Sequence, residues 1–302
     1  MAVTVGSKAV YGVDISSGKL LWRVPRSGGP ITSPALESSD SVDLVLYTEG
    51  LDALSFKLIA FDLQTQKTAW DASIGAVSST GVTVDASTAF VGDDTGKVHA
   101  FDVKTGKETW TSEGVGTVEA PVAVADGLVY VASRELSQGN ARIRALDEAT
   151  GAQKWSFSQQ GLTSGSAVTV AGGLAVAGFT DRLARAFDAQ TGRGMWASLL
   201  SSALSPRSAP AAATGAVYIA DLSGTVERIS GTTGERVWDY RFNPIRPLSI
   251  PYLVFAGSPA FVHSSVLIGL GDGRLEAISV ATGHLVWESD TGPGSLGAIA
   301  LG

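Results

Sequence analysis

The stretch Ala100-Phe101-Asp102-Val103-Lys104-Thr105-Gly106-Lys107-Glu108-Thr109-Trp110 occurs in seven variants along this chain. It combines the end of an apolar strand, an Asp-x-x-Thr-Gly turn and a second strand that ends in Trp. In every copy the Trp lies eight positions after the first turn residue, and the copies contain all seven tryptophans. The chain is therefore an internal repeat protein. The first turn residue and the Trp of each copy are Asp14 and Trp22, Asp62 and Trp70, Asp102 and Trp110, Asp147 and Trp155, Asp188 and Trp196, Ser230 and Trp238, and Ser279 and Trp287.

The repeated residues are predicted to build the fold, because a catalytic residue would not be needed seven times. The Asp or Ser can accept hydrogen bonds from backbone N–H groups two or three residues later. A Gly four positions after it, present in six of the seven copies, can take the positive φ that closes the hairpin. Gln66 stands there in the second copy, so we expect a strained or differently shaped turn. The Trp supplies apolar surface and one N–H that needs a partner.

The spacing of the tryptophans gives the length of one repeat. Successive tryptophans lie 48, 40, 45, 41, 42 and 49 residues apart, a spacing typical of a four-stranded propeller blade. Alternating runs such as Lys97 to Phe101 predict strands. We predict an all-β fold, a seven-bladed β-propeller of four-stranded antiparallel blades in one domain, 1–302. The expected repeats are 1–25 with 291–302, 26–73, 74–113, 114–158, 159–198, 199–240 and 241–290.

The first repeat lacks one strand. Ala2 to Val5, Ala9 to Val13 and Leu20 to Val24 account for only part of a repeat. Gly294 to Ala300 resembles the opening strand of the other repeats and has no repeat of its own to begin. We expect this C-terminal strand to complete the first blade and to cover an open sheet edge.

Composition and charge exclude several classes of partner and site. The net charge of −7, without a concentrated basic face, argues against a nucleic-acid partner. Without Cys the chain has no disulfide and no thiolate metal site. No apolar run reaches the ~18 residues of a membrane span. Residues 1–12 lack the basic and then apolar pattern of a signal peptide.

The stretch Ala145 to Trp155 resembles the repeat of the pyrroloquinoline-quinone-like propeller family, as do Ala186 to Trp196 and Ala277 to Trp287. This resemblance covers essentially the whole chain. The family includes quinoprotein dehydrogenases, the outer-membrane assembly lipoprotein of the β-barrel assembly machine, and extracellular sensor domains of bacterial kinases. The dehydrogenases use eight blades, an adjacent Cys pair and a cation site of Glu, Asn and Asp, whereas this chain has no Cys and only Asn140 and Asn243. The resemblance therefore implies a relative of the assembly lipoprotein or the sensors, without a cofactor.

Residues suited to catalysis or metal binding are few. His99, His263 and His284 are the three histidines, and none has metal-ligand spacing. The glycine-rich stretch Gly269 to Gly273 lies between two strands and opens no helix, so it does not predict a phosphate site. Asp93-Asp94 could contact a cation, but a solvated hairpin turn is the favoured interpretation. We predict no catalytic residue, no metal site and no cofactor.

Three long variable segments, 48–57, 133–142 and 239–257, are predicted to lie on the face opposite the Thr-Gly turns. Binding is commonly carried by loops on a rigid scaffold. The third segment combines three prolines with aromatic and Arg residues, a composition found in interface hot spots. Alternatively, it plugs the axial funnel or covers a sheet edge. The residues predicted to bind a partner or ligand are Arg134, Glu135, Arg142, Arg241, Phe242, Arg246 and Tyr252.

The function predicted from the sequence is a non-catalytic binding or scaffold module for a protein or peptide partner. One alternative is a cofactor-independent enzyme that holds an apolar small molecule in the axial funnel. Another is the ligand-sensing part of a larger receptor or kinase, which the start of a strand at residue 2 would fit. We expect a location in the bacterial cell envelope or outside the cell, with a signal or anchor absent from this chain. A cytoplasmic location stays open.

Overall fold

A computed structural model gives the structure of most of the chain. It describes residues 2–6, 9–13, 19–25, 34–39, 42–50, 55–76, 80–114, 116–135, 139–160, 166–201, 209–213, 215–221, 224–242, 258–270, 272 and 274–290. The expected closing strand at 294–300 and the turn residue Asp14 lie outside these residues.

The described chain forms seven antiparallel sheets, in chain order. The first has three strands, β1 Ala2–Gly6, β2 Ala9–Val13 and β3 Leu20–Pro25. The second has β4 Ala35–Ser39, β5 Val42–Gly50, β6 Phe56–Asp62 and β7 Lys67–Ser73. The third has β8 Thr83–Asp85, β9 Thr88–Gly92, β10 Val98–Asp102 and β11 Glu108–Thr111. The fourth has five, β12 Thr117–Val118, β13 Ala123–Ala125, β14 Leu128–Glu135, β15 Asn140–Asp147 and β16 Gln153–Gln160.

The last three sheets have four strands each. The fifth comprises β17 Thr169–Ala171, β18 Leu174–Gly178, β19 Leu183–Asp188 and β20 Gly194–Leu199. The sixth comprises β21 Ala211–Ala213, β22 Ala216–Ala220, β23 Thr225–Ser230 and β24 Arg236–Arg241. The seventh comprises β25 Ala260–Val262, β26 Ser265–Gly269, β27 Arg274–Ser279 and β28 Leu285–Asp290.

The chain divides into two compact units. The first contains residues 1–137, 146–154 and 302, and the second contains 138–145 and 155–301. The first unit holds the first three sheets, and the second holds the fifth, sixth and seventh. The expectation of one domain stays a prediction.

Burial along each sheet places the core on its second and third strands. All five residues of β22 are buried, and four of five in β9. The last strand alternates exposed and half-buried residues, as in β24, because it forms the outer edge. Neighbouring sheets pack through apolar faces, for example Leu44 and Leu58 of the second sheet in one cluster with Val91 and Phe101 of the third. The half-buried Trp70 packs against the same cluster.

The repeated turn is closed by its own side chains. In the third sheet Asp102 Oδ1 accepts bonds from the Thr105 N–H at 2.8 Å and the Thr105 hydroxyl at 2.7 Å. The Gly106 N–H donates to the Asp102 carbonyl at 2.8 Å, with φ of 68° at the glycine. Asp147 and Asp188 build the same turn with Thr150 and Thr191. Ser230 and Ser279 do so through their hydroxyls, at the longer distances of 3.2 and 3.4 Å.

Each described tryptophan from Trp70 to Trp238 binds the repeated turn of the following repeat. Its indole N–H donates, at 2.8 to 3.0 Å, to the carbonyl of the residue after the turn Asp or Ser. Its ring lies so close to the turn glycine that an added Cβ would be 2.4 to 2.8 Å from it. The turn glycine is therefore needed twice, for its positive φ and for room. The pairs of Trp and carbonyl are Trp70 and Val103, Trp110 and Glu148, Trp155 and Ala189, Trp196 and Gly231, and Trp238 and Val280.

The second repeat differs at its turn glycine, and the first at the residue beneath its tryptophan. Gln66, in place of the turn glycine, has φ of 56°, a left-handed conformation that costs free energy for a residue with a Cβ. Trp22 packs against the core formed by Tyr47 and Phe61. Its ring also lies over its cross-strand partner Gly12, where an added Cβ would be 2.1 Å from Cε2. The first sheet therefore needs a glycine where β6, β10, β19 and β27 have alanine.

The contact between Trp155 and Gly192 can be tested against a matched glycine. Gly192→Ala places a methyl group against Trp155 in addition to the strain of its φ of 72°. Gly173→Ala imposes the same strain at φ of 77° but meets no atom within 4 Å. We expect Gly173→Ala to lower the free energy of unfolding by ~1–2 kcal/mol, and Gly192→Ala by ~1–3 kcal/mol more. Urea unfolding measures both, and equal losses would contradict the contact.

The turn aspartates predict a loss of stability in acid. Bonds from the Thr105 and Thr191 side chains and amides lower the pKa of Asp102 and Asp188 below the ordinary value of 3.8. A depressed folded-state pKa contributes stability above the unfolded-state pKa, and this is lost as pH falls through the folded-state value. The double variant Asp102→Ser and Asp188→Ser, which copies the chain's own serine turns, should lose less stability than wild type between about pH 6 and pH 3. Urea unfolding at the two pH values measures this, and equal losses would count against it.

Candidate functional site

Charged side chains gather where the second and third strands of a sheet are joined, at the end opposite the repeated turn. In the third sheet this connection begins at Asp93, which is 1% exposed. Its Oδ1 accepts bonds from the N–H groups of Thr95 at 2.9 Å and Lys97 at 2.8 Å. Its Oδ2 lies 3.1 Å from Nε2 of His99 in β10. Asp93 therefore holds the turn and the histidine at once.

His99 lies between two carboxylates. Its Nδ1 is 2.7 Å from Oε1 of Glu108 on β11, and Glu108 also accepts a bond from the Thr111 hydroxyl. Burial by itself would lower the pKa of His99, but the bonds to Asp93 and Glu108 outweigh burial and raise it above 6.5. Both ring nitrogens are occupied by acceptors, so this arrangement favours a structural imidazolium rather than a proton-transfer catalyst.

The fifth sheet carries an ion pair at the corresponding place. Arg185 of β19 donates from Nη1 and Nη2 to the two oxygens of Asp181, at 3.0 and 2.5 Å. Its guanidinium also lies over the ring of Phe179, 4.7 Å from the centroid. Burial raises the pKa of Asp181, but the bonds from Arg185 outweigh it and keep the pKa below 3.8. This bidentate pair fixes the end of the hairpin.

The sixth and seventh sheets share a larger buried network. Arg274 of β27 is 4% exposed and contacts Asp272 at 3.0 Å, Glu276 at 2.8 Å and Glu288 at 3.2 Å. Tyr240 of β24 donates its hydroxyl to Glu276 at 3.1 Å. Burial, with the charge of Glu276 beside it, raises the pKa of Tyr240 to about 12, and burial raises the pKa of Glu276. The network joins two sheets at the end where segment 243–257 follows.

Within each cluster the charged side chains bind one another. Within the described ranges, no group of three His, Asp or Glu side chains could hold a metal ion. The same part of the chain has no helix that is long and apolar enough to cross a membrane. The quinone-site features named above do not fit this chain, since it has no Cys and Asn140 is a buried residue of β15.

The structure places the predicted partner-binding residues of segment 133–142 on two extended strands. Arg134 and Glu135 end β14, and both are half-buried. Arg134 Nη2 lies 2.5 Å from Oε1 of Glu119, which follows β12. Arg142 is a half-buried residue of β15. The short β12 pairs with the end of β14, so residues 133–135 and 140–142 of the segment belong to a sheet.

The remaining predicted residues fall at the end of β24 and beyond it. Arg241 is exposed. Phe242 is only 4% exposed, and its ring packs edge-on against Tyr240 at 5.0 Å within the core between the sixth and seventh sheets. The structure thus corrects the expected surface role of Phe242, because an apolar ring gains more by burial there. Arg246 and Tyr252 lie outside the described residues.

Sequence reasoning missed the paired charges of these connections. Asp93 was expected in a solvated turn, whereas the structure buries it against His99. A signal was present, since Asp181 and Asp272 also stand just before a third strand that carries Arg. The spacing to the cation differs in each case, so the pattern was harder to see than the constant eight-residue spacing of the tryptophans.

The repeated sheets and the tryptophan contacts define a repeat protein of the β-propeller class. The chain belongs to the family described as outer membrane protein assembly factor BamB, whose model matches residues 8–203 and 139–297. The resemblance seen in the sequence is thereby confirmed.

Several curated proteins are similar to the chain. The outer membrane protein assembly factor BamB of Bordetella pertussis is 32% identical over 140 residues, 45% of this chain and 35% of that protein. The protein of the same name from Moranella endobia is 25% identical over 282 residues, 79% and 71% of the two chains. The serine/threonine-protein kinase AfsK of Streptomyces griseus is 33% identical over 157 residues, 47% of this chain and 18% of the kinase. The chain thus spans about a third of the Bordetella relative's length.

Solved structures share the fold at low identity. BamB from Moraxella catarrhalis matches with a TM-score of 0.75 at 20% identity, covering 99% of this chain and 87% of that one. The computationally designed protein Ika8 matches with a TM-score of 0.79 at 16% identity, covering 99% and 89%. The predicted all-β, seven-bladed propeller fold is confirmed.

The histidine between Asp93 and Glu108 predicts a loss of stability in alkali. Because its folded-state pKa is raised, its contribution is fully present below about pH 6.5, the ordinary value, and is lost as pH rises through the folded-state pKa. We expect the imidazole to titrate above pH 6.5 by NMR. The free energy of unfolding should also fall more steeply above that pH in wild type than in His99→Gln. A titration below pH 6.5 would contradict this account.

Proposed function

We propose that this chain is a non-catalytic propeller that holds a protein partner in the bacterial cell envelope. The partner would bind at the end of the sheets where the second and third strands are joined. The expected envelope location is confirmed at the level of the family, which is that of outer membrane assembly factors. By analogy with those relatives, the partner would be a component of the outer membrane assembly machinery.

This proposal rests on the unequal lengths of the second and third strands in different sheets. β5 has nine residues and β14 and β15 have eight, whereas β9, β10 and β18 have five. Three additional residues lengthen a strand by ~10 Å. In β14 and β15 the extra length lies toward the connection between second and third strands, because the repeated turn fixes the other end. In β5 two of the extra residues, Val42 and Asp43, lie at the turn end instead. A propeller with no partner to bind would not require strands of different length.

The chemistry of that end suits a protein surface. Arg134 and Glu119 form a partly exposed pair, with side chains 33% and 24% exposed. In the second compact unit, Arg241 is an exposed cation at the end of β24. Arginine is enriched at interface hot spots because its planar guanidinium stacks and donates several hydrogen bonds. Segment 243–257, with its prolines and aromatic residues, follows Phe242 directly.

The buried charges support a binding role over a catalytic one. His99 has both ring nitrogens within hydrogen-bond distance of carboxylates, and Arg274 is within ion-pair distance of three carboxylates. A general base or nucleophile would need a free position toward a substrate. These groups instead stabilise the ends of the hairpins and so hold the surface above them in place.

Site-specific photocrosslinking in the native bacterium tests this surface. Benzoyl-phenylalanine would replace Arg241 or Glu135, and matched controls would carry it at Lys104 or Ala149, exposed residues of the repeated turns of the third and fourth sheets. We expect protein adducts from the first two positions only, containing a component of outer membrane assembly by mass spectrometry. Adducts only from the control positions, or from all four equally, would contradict the proposed surface.

A second candidate is a sensor domain of a receptor kinase. The match to AfsK, with 33% identity over 157 residues, favours it. A kinase catalytic domain encoded in the same open reading frame would support the sensor role and contradict the assembly role. An envelope-targeting signal without a kinase domain would do the reverse.

A further inference from the structure

A hollow of about 250 Å³ opens between the fifth and sixth sheets, within the second compact unit. It lies at the end of the repeated turns, between the hairpin of β17 and β18 and the hairpin of β21 and β22. The side chains of its wall are mostly small and, apart from Thr232, apolar, while backbone groups contribute polar surface. The residues that matter most are Ala171, Leu174, Met195, Ala213, Gly215 and Gly231.

The sequence explains why space is left here. Strand β21 is Ala211-Ala212-Ala213, and Ala216 follows across the turn, so these four positions carry only methyl groups, although Val217 of β22 also lines the hollow. The position after the first turn residue, whose carbonyl receives the tryptophan, is Gly231 here but Val103 in the third sheet and Val280 in the seventh. A Cβ at Gly231 would be 3.1 Å from the Gly215 backbone. The residues that line the hollow are thus too small to fill it.

The rim combines an exposed apolar side chain with a cation. Met195 of β20 is 44% exposed although it lines the hollow. Nη2 of Arg193 lies 3.6 Å from its sulfur atom. Arg193 is itself exposed, so its guanidinium is accessible beside the opening. Its charge also acts on Asp188 and helps to lower the pKa of that carboxyl, so a ligand carboxylate would share the cation with Asp188. A positive charge next to an apolar hollow is complementary to an apolar group that carries a carboxylate.

The size of the hollow restricts what would enter it. Small-molecule sites usually enclose ~300–1,000 Å³, and this hollow is smaller. A single large aliphatic or aromatic side chain is the kind of anchor that interfaces bury in such a pocket. We propose that the hollow binds one large apolar side chain of a polypeptide, with an adjacent carboxylate paired to Arg193. The carboxylate would be that of a chain terminus, on the same residue as the apolar side chain.

This site goes beyond the proposed function and is independent of it. It lies on the turns of the fifth and sixth sheets, at the opposite end of those sheets from the connections that contain Asp181 and Asp221. Loss of the crosslinks at Arg241 and Glu135 would leave this site standing. Failure of the test below would leave the partner surface standing.

Methionine labelling provides a direct probe. The chain has only two methionines, Met1 and Met195, so ¹³C-methyl labelling gives one signal at the rim and one internal reference. The probe ligand is N-acetylphenylalanine, which carries an apolar ring next to a carboxylate. We expect a saturable shift of the Met195 methyl signal with an unmoved Met1 signal. N-acetylphenylalanine amide should bind about threefold more weakly, as for loss of an exposed ion pair, and N-acetylalanine should cause no saturable shift.

Two variants and a control separate binding from unfolding. Thr232→Trp fills the hollow from an exposed turn position and should abolish the shift. Ala149→Trp puts the same side chain at the equivalent exposed position of the fourth sheet and should leave binding unchanged. Arg193→Gln should reduce the preference for the acid over the amide to about one. A stationary Met195 signal at tens of millimolar ligand, or an unchanged shift in Thr232→Trp, would overturn the site. Equal affinity for acid and amide in wild type would overturn the role of Arg193.

Discussion

The bond from a tryptophan indole to the turn of the following repeat is the constraint on which this structure depends. The described chain shows it five times with nearly constant geometry, N–H to carbonyl at 2.8 to 3.0 Å and ring against glycine. Each tryptophan lies on the exposed outer strand of its sheet, where it would otherwise leave a large apolar ring in water. The contact satisfies its N–H and covers its ring at once. Repeat proteins are stabilised mainly by such nearest-neighbour contacts.

Because of this constraint, the residues at one end of each sheet vary little between repeats, whereas those at the other end vary more. The turn end must present the same carbonyl and the same glycine to its neighbour, so its chemistry repeats. The other end is free of that requirement, and there the sheets differ: His99 between carboxylates in the third, a bidentate arginine in the fifth, and Arg274 among three acids in the seventh. Strands β14 and β15 also extend toward that end. A rigid scaffold with one variable end suits recognition of a partner.

The hollow between the fifth and sixth sheets is an exception on the constrained end. Gly231 supplies the carbonyl that Trp196 binds but has no side chain. The alanines of β21 beside it are also small, so space remains between the two sheets. A site can therefore be added at the turn end without disturbing the contact that holds the sheets.

The sequence was sufficient for the fold because its signals are local. An Asp, a Thr and a Gly within five residues close a turn by their own hydrogen bonds, and a constant distance to Trp repeats the hairpin. The candidate sites depended on contacts between residues far apart in sequence. The burial of Phe242 follows from packing between two sheets, and the pairing of Asp93 with His99 follows from register across a hairpin. Neither is visible in composition or periodicity. The hollow could not be predicted either, because a run of alanines indicates only a strand, and the space beside it depends on how the neighbouring sheet packs.

Hydrogen exchange of the indole N–H groups tests the central constraint most directly. In a ¹⁵N-labelled sample, the signals of Trp70, Trp110, Trp155, Trp196 and Trp238 can be assigned by single Trp→Phe variants. If the indole-to-turn bonds hold successive sheets together, these five N–H groups should be strongly protected and should exchange only with unfolding of the sheets they join. Exchange of all five within seconds in the folded protein would show that the indole-to-turn hydrogen bonds do not hold successive sheets together, and would contradict the central claim.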